Sequence, residues 1–473
     1  MPQELKEIQY YQSDFEAFSS NGASSAPAWM KDVRTAGMSN FSALGFPTLR
    51  HEDWRFTNIV PLLKVPFRYA SEHHRVSVTR EKLSPYVYSE SAKLYVAVVN
   101  GRFSPSLSNL SALPSGVEIE SLEKAATKSP DLLKLFLNKR VPNERSAFAA
   151  LNTAYLRDGV LVRIPKGVNI EVPIQILIYS SQADDGTPLV SYPRNLIILE
   201  EGARAAVVET YASGQESVSL SDAVTEIFVG PNAALDFVKE QREGSNAFHV
   251  GTMQVTQEKE SRFTSFSLAL GSRIARNDLN IEIVGEHCES MLDGLYITAG
   301  EQLIDHHTII DHTQPECSSR EVFKGIVTGN SRAVFNGKIF VRQIAQKTDS
   351  KQTNKNLLLS DTATVDTKPQ LEIFADDVKC THGATVGGMD PMSLFYVKSR
   401  GISEEAARSI LTTGFAAEVT KYINNADLRQ YIDSLIIAKL ADSVVMSELP
   451  EIVHSATADF SQRDFQQDEP HSR

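Results

Sequence analysis

The chain has little cysteine: three thiols, Cys288, Cys317 and Cys380, in 473 residues. So few and so scattered, they build no disulfide framework, and the fold must rest on a packed core. Positive charge is short as well, with 47 Lys and Arg against 59 Asp and Glu and a net charge of −12. That balance argues against a nucleic-acid binder or an anionic-membrane binder, since both present basic patches. No stretch comes near the roughly 18 consecutive apolar residues of a membrane helix. The polar, acidic start Met-Pro-Gln-Glu-Leu-Lys-Glu lacks the pattern of a secretory signal. A cytoplasmic protein is the simplest expectation, with a plastid or mitochondrial origin after transit-peptide removal left open. Catalytic signatures are absent too. The chain has no G-x-x-x-x-G-K-[ST] phosphate loop, no G-x-G-x-x-G after a strand, no C-x-x-C, no H-E-x-x-H and no G-x-S-x-G elbow. Their absence points to a scaffold or binding role.

What is present is apolar texture in three zones. Hydrophobic residues make up 42% of the chain, ample for a packed interior, and the length suggests about three structural units. Residues 1–158 read as an N-terminal mixed α/β domain, largely helical. Leu122, Ala125 and Ala126, then Leu132, Leu133, Leu135 and Phe136, show helical spacing broken at Pro130. Phe148, Leu151 and Tyr155 mark another helix, and Lys93 to Asn100 reads as a buried strand.

Residues 159–397 carry apolar, β-branched segments punctuated by glycine. Gly271 to Gly285 is 14 residues, Gly285 to Gly300 is 15, Gly202 to Gly230 is 28 and Gly300 to Gly329 is 29, with Gly251 out of step. Units of 14 to 15 residues, with two short strands and two turns in each, suit coils that stack to share one core. The expected fold is mainly β, a β-solenoid, with a β-sandwich as its rival. Residues 398–473 turn helical. Ser403 is a plausible N-cap, and Ile402, Ala406, Ile410, Leu411, Phe415, Val419 and Ile423 trace one face. A second helix starts at about Asp427, with Leu428, Ile432, Leu435 and Ile436 on its apolar side, and the tail frays from about 463. Such helices either cover a solenoid or offer an apolar face to a partner.

Two constellations invite chemistry. In Asp305-His306-His307-Thr308-Ile309-Ile310-Asp311-His312, an extended chain puts His306 and His312 on one face about 20 Å apart. His307 and Asp311 share the other face, about 13 Å apart. Neither pair chelates one ion, so ordering of turns is the favoured role. Cys380 and His382 differ, because positions i and i+2 of a strand project from one face about 6.5–7 Å apart. Thiolate and imidazole both accept iron. Two ligands make an incomplete site, and taken alone the pair leaves a buried, non-ligating cysteine as the stronger reading.

The run Ala-Asp-Asp-Val-Lys-Cys-Thr-His-Gly-Ala-Thr-Val-Gly, within Leu357 to Gly387, together with Leu394 to Gly401, resembles the SufB/SufD family of iron–sulfur assembly proteins. Agreement extends to His51-Glu-Asp-Trp-Arg-Phe-Thr57, to Asp158-Gly159 with Ile164-Pro-Lys-Gly-Val168, and to Asp305-His-His-Thr308 with His312, Pro315 and Phe323-Lys-Gly325. The resemblance thus spans about residues 50–415. Gly383 stands where SufB-type relatives carry an acidic residue after the motif histidine, so the chain is more similar to the SufD type.

The resemblance implies a right-handed parallel β-helix core between a mixed α/β N-terminal domain and C-terminal helices. It implies a non-enzymatic scaffold in a complex with SufB and the ATPase SufC, with ATP hydrolysis residing in SufC. A transient iron–sulfur cluster would form at the SufB–SufD interface. Residue by residue, His382 matches the histidine needed for cluster formation and Cys380 the exposed cysteine beside it. SufC would bind the C-terminal helical region, about 398–450, and the contact residues expected are Tyr396, Arg400, Ile402, Ala406, Ile410, Leu411 and Phe415. A reduced flavin in the assembled complex and a homodimer of this chain are left open, and no cofactor is expected to stay on the isolated chain. The rival class is a β-helix polysaccharide lyase or hydrolase using Asp361, Asp366, Glu372 and Asp376, against which the missing secretory signal counts.

Overall fold

The computed structural model describes residues 3–22 and 26–443. The tail expected to fray from about 463 lies outside the described residues. Two parallel sheets face each other and form a β-solenoid of about seven turns. From its N-terminal end the first sheet stacks Gly159–Ile164, Arg194–Leu199, Ser219–Val229, Phe248–Gln257, Ile274–Ile283, Leu303–His312, Arg332–Val341 and Thr364–Ile373. The second stacks Ile174–Ser180, Arg204–Ser213, Ala234–Arg242, Arg262–Ala269, Glu289–Thr298, Ser318–Val327, Asp349–Leu358 and Lys379–Gly387. The chain alternates between the sheets, so one strand from each makes a coil.

Ile274, Leu303 and Arg332 are successive register partners, 29 residues apart each time. A coil is therefore two of the units seen in the sequence, and each unit holds one strand of about ten residues and one turn. The expectation of two short strands per unit fails for a physical reason. Strand Asp349–Leu358 buries Ser350, Gln352, Asn354 and Asn356 on its interior face, so polar residues interrupt an alternation that is structurally unbroken.

One turn in six successive coils is built the same way. Gly202, Asn232, Glu260, His287, Glu316 and Lys347 all adopt left-handed backbone, with φ between 57° and 69°. For a residue with a Cβ this conformation costs about 1–2 kcal/mol. Stacking offsets it: the Asn232 N–H donates to the Lys259 carbonyl at 2.9 Å, and the Glu316 N–H donates to the Gln346 carbonyl at 2.9 Å, each in the next coil.

The N-terminal region closes the first coil and is continuous with it. Strand Tyr95–Val99 extends the second sheet beside Ile174–Ser180, and Arg102–Asn109 follows it antiparallel. Strand Glu118–Ser121 finishes the first sheet antiparallel to Gly159–Ile164. Helices Ala28–Leu44 and Ala147–Ala154 meet backbone to backbone at Gly37, where a Cβ would sit 2.6 Å from the Ala154 nitrogen.

The C-terminal helices lie along the flank of the solenoid, not over its end. Ala416, Val419 and Ile423 from helix Glu404–Thr420 and its exit, with Leu428, Ile432 and Ile436 from helix Ala426–Ser443, pack on Phe266, Leu268, Leu295 and Ile326 of the second sheet. A shorter helix, Pro391–Lys398, precedes them, and none of its residues is buried. The sequence carried the β core to residue 397, whereas the last strand ends at Gly387 and the chain is helical from Pro391.

Candidate functional site

Strand Lys379–Gly387 ends the second sheet and Thr364–Ile373 ends the first, so among the described residues the last coil leaves a sheet edge unpaired on both sides. No residue of either strand is buried, in contrast to the coils behind them. Asp390 then turns the chain away. Its carboxylate accepts from the Met392 and Ser393 backbone N–H groups at 3.2 and 3.0 Å, and Pro391 opens the helix.

Register decides where Cys380 and His382 point. Cys380 pairs with Ser350 and His382 with Gln352, and both partners are buried in the lumen. The two candidate ligands therefore share the lumen face of the final strand, as their i, i+2 spacing predicts. Cys380 is half-buried and packs on the end of the apolar core, while His382 is exposed. Burial raises the Cys380 thiol above its ordinary value; the Ser350 backbone N–H opposes this and Asp349 adds to it. In the chain alone the sulfur is thus held as thiol, and ligation of a metal has to displace its proton.

The other thiols do not join it. Cys288 and Cys317 are buried one coil apart, the Cys288 N–H reaching the Cys317 sulfur at 3.4 Å. Cys317 lies two rungs behind the last strand, roughly 10 Å at strand spacing. Among the described residues, no group of three or more His, Cys, Asp or Glu side chains is placed to hold a metal ion.

The histidine-rich strand Leu303–His312 is absorbed by packing. His306 lies between Tyr296 and Phe323, ring centroids 5.4 Å from each, and burial pushes its pKa down to about 3. His312 bonds the Ser319 hydroxyl at 2.9 Å and is pushed down to about 4 by burial. His307 meets Asp305 at 3.1 Å. Asp305 also anchors the N-terminal motif: it accepts from the Thr57 hydroxyl at 2.5 Å and from Arg276 at 2.9 Å. The Arg276 guanidinium stacks on Trp54 at 4.1 Å and donates to the Asp53 carbonyl. Two motifs far apart in sequence are one latch.

The expected partner-binding residues divide. Tyr396 is 60% exposed, and its hydroxyl accepts from Arg400 at 2.9 Å. Beside it Met392 and Phe395 are 73% and 68% exposed, residues that sequence reasoning missed although Asp390-Pro391 announces a helix start. Ile402, Ala406, Ile410 and Leu411 are half-buried, while Ala407, Ser409, Thr412 and Thr420 are buried and Ala416 and Val419 pack on the sheet. Phe415 is engaged by the chain itself, since the Lys324 ammonium donates to its carbonyl at 2.8 Å and lies 4.1 Å from its ring.

Comparisons to known proteins identify the family. Residues 179–415 match the family model for the SUF system FeS cluster assembly SufBD core domain, and residues 5–176 match that for the SufBD protein N-terminal region. The chain belongs to the SufBD family. It is 32% identical to the iron–sulfur cluster assembly protein SufD of Escherichia coli over 391 residues, 82% of this chain and 87% of that one. A SufBD family protein of Synechocystis is 32% identical over 395 residues, 82% of this chain and 86% of its own. Protein ABCI7, chloroplastic, of Arabidopsis thaliana is 29% identical over 431 residues, 89% of this chain and 88% of the relative. The polysaccharide lyase or hydrolase alternative is not supported: its candidate acids lie inside the SufBD core match. Two of them are committed to ion pairs, Asp366 with Arg332 at 2.5 Å and Glu372 with Lys338 at 3.7 Å. Among the described residues no helix is long and apolar enough to cross a membrane.

Proposed function

We propose that this iron–sulfur assembly protein is a non-enzymatic, cytoplasmic scaffold that supplies half of a cluster-building site from Cys380 and His382. The observation that carries the proposal is their place on the lumen face of a terminal strand whose outer edge pairs with none of the described residues. Iron–sulfur clusters usually take four protein ligands, so a second chain completes the set. A SufB-type solenoid meeting the open coil fits that need, with the cluster as transient cargo at the interface; a second copy of this chain is the competing partner. A SufC-type ATPase would supply nucleotide hydrolysis and dock on the exposed face of Pro391–Lys398, with Tyr396 and Arg400, and on the half-buried residues that follow. A reduced flavin belongs to the assembled complex in this reading, and the isolated chain keeps no cofactor.

The test is His382→Ala in cells that depend on this chain. Cluster maturation should be lost while the complex with the ATPase and the second solenoid still forms. Maturation at the wild-type rate would remove His382 from the site.

A further inference from the structure

The interior column behind His382 is polar and incompletely satisfied. Leu292, Glu321, Gln352 and His382 are register partners from coil to coil, so their side chains stack along the lumen. Gln352 is 1% exposed, and its Nε2 donates to Glu321 Oε2 at 2.6 Å. The amide nitrogen is the donor in this bond, so the Nε2 arm faces Glu321. The other arm, Oε1, is buried without any hydrogen-bond partner. A buried acceptor left without a donor is unfavourable and asks for one. The amide also has a space made for it on the opposite sheet. A Cβ at Gly337 would lie 2.2 Å from the Gln352 Nε2, so no larger residue fits there without displacing it. One rung on, at about 4.8 Å, the His382 imidazole makes no hydrogen bond to a described residue.

We infer that Gln352, aimed by Glu321 and accommodated by Gly337, is a positioning residue for His382. With the His382 ring turned inward from the unbonded position it has here, Gln352 Oε1 accepts the N–H of one imidazole nitrogen and thereby presents the lone pair of the other to iron at the open end. A histidine that ligates a metal nearly always has its second nitrogen held this way, which selects the tautomer and the ring orientation. The role as ligand support rests on reading His382 as a cluster ligand; the selection of its tautomer does not.

The test is nitrogen NMR of the full chain labelled at histidine, with the His382 signals assigned by their loss in His382→Ala. One neutral tautomer should dominate in the wild type. Gln352→Leu should give both in exchange, and Gly337→Ala, which keeps the amide but crowds it, should shift the ratio the same way. Far-ultraviolet dichroism identifies any variant that fails to fold, and the remaining variant then decides. In cells, Gln352→Leu should lower cluster maturation about tenfold or more. The same tautomer ratio in the wild type and the folded variants would overturn the inference. If the ratio changes while His382→Ala matures clusters normally, tautomer selection stands and the cluster-ligand reading falls.

Discussion

Arg276 and Asp305 occupy one register position in consecutive coils and meet at 2.9 Å, with side chains 4% and 0% exposed. Because the N-terminal strap at Trp54 and Thr57 closes over this pair, removing Asp305 leaves Arg276 with Asp278 alone and takes from the Thr57 hydroxyl its acceptor. Asp305→Ala should lower stability by about 3–5 kcal/mol, the usual effect of breaking a buried pair. Denaturant unfolding measures the loss, and limited proteolysis should release the N-terminal region first. A change within error would show that the latch is ornamental to stability.

Acid should weaken the fold through its buried histidines. His306 and His312 titrate at about 3 and about 4 in the folded chain, against about 6.5 when unfolded. Between those values the unfolded chain holds more protons, so stability falls as pH drops, by about 1.4 kcal/mol per unit for each group. His306→Phe keeps the aromatic stack with Tyr296 and Phe323 and should remove one proton's worth of slope between pH 4 and 6.5. An unchanged slope in denaturation midpoints would count against it.

Glu321 works in the opposite sense. Burial raises its carboxyl to about 7, so its neutral form suits the fold and stability is lost as pH rises from about 4.5 through 7. Glu321→Gln should therefore be more stable than the wild type at pH 8, on the order of 1–3 kcal/mol, and nearly equal to it at pH 4. Melting temperatures at the two pH values provide the comparison.

Alkylation should single out one thiol. Cys288 and Cys317 are 1% exposed, while Cys380 is half-buried and its thiol is raised by burial. Iodoacetamide should label Cys380 alone in the native chain, slowly at pH 7 and about tenfold faster per pH unit below its pKa. Mass spectrometry after brief exposure reads the pattern, and label on Cys288 or Cys317 ahead of Cys380 would contradict the burial described.

Docking of an ABC-type ATPase should depend on Phe395 and Tyr396. Their substitution by Glu should weaken capture by about 2 kcal/mol or more, as for a central interface residue, with little change in melting temperature. Phe415→Ala should do the reverse and destabilise the chain by removing the ring that lies over Lys324. Isothermal titration alongside thermal unfolding separates the two.

The coil was legible where its turns use glycine, at Gly271, Gly285, Gly300 and Gly329. It was hidden where the left-handed turn is filled by Asn232, Glu260, His287, Glu316 and Lys347, because neighbouring coils supply the hydrogen bonds that sequence propensity cannot show. Cys380 and His382 were legible because strand alternation fixes their common face. Gln352 and Glu321 were not, since a polar residue reads as surface until its coil is closed. The exposed helix Pro391–Lys398 was folded into the β zone because Leu394, Phe395, Tyr396 and Val397 form an apolar run too short to show its period.

The two ends of the stack are unlike. The N-terminal end finishes in a four-residue strand, Glu118–Ser121, and in Arg102–Asn109, which carries a register irregularity and Pro105. Short length, bulges and proline keep an edge from recruiting another strand. At the other end Lys379–Gly387 runs nine residues without a proline, although the companion edge strand Thr364–Ile373 carries Pro369. A body with two receptive ends would add copies indefinitely and polymerise into a fibre. With one receptive and one blunt end, any edge-to-edge association of this chain would stop at a pair.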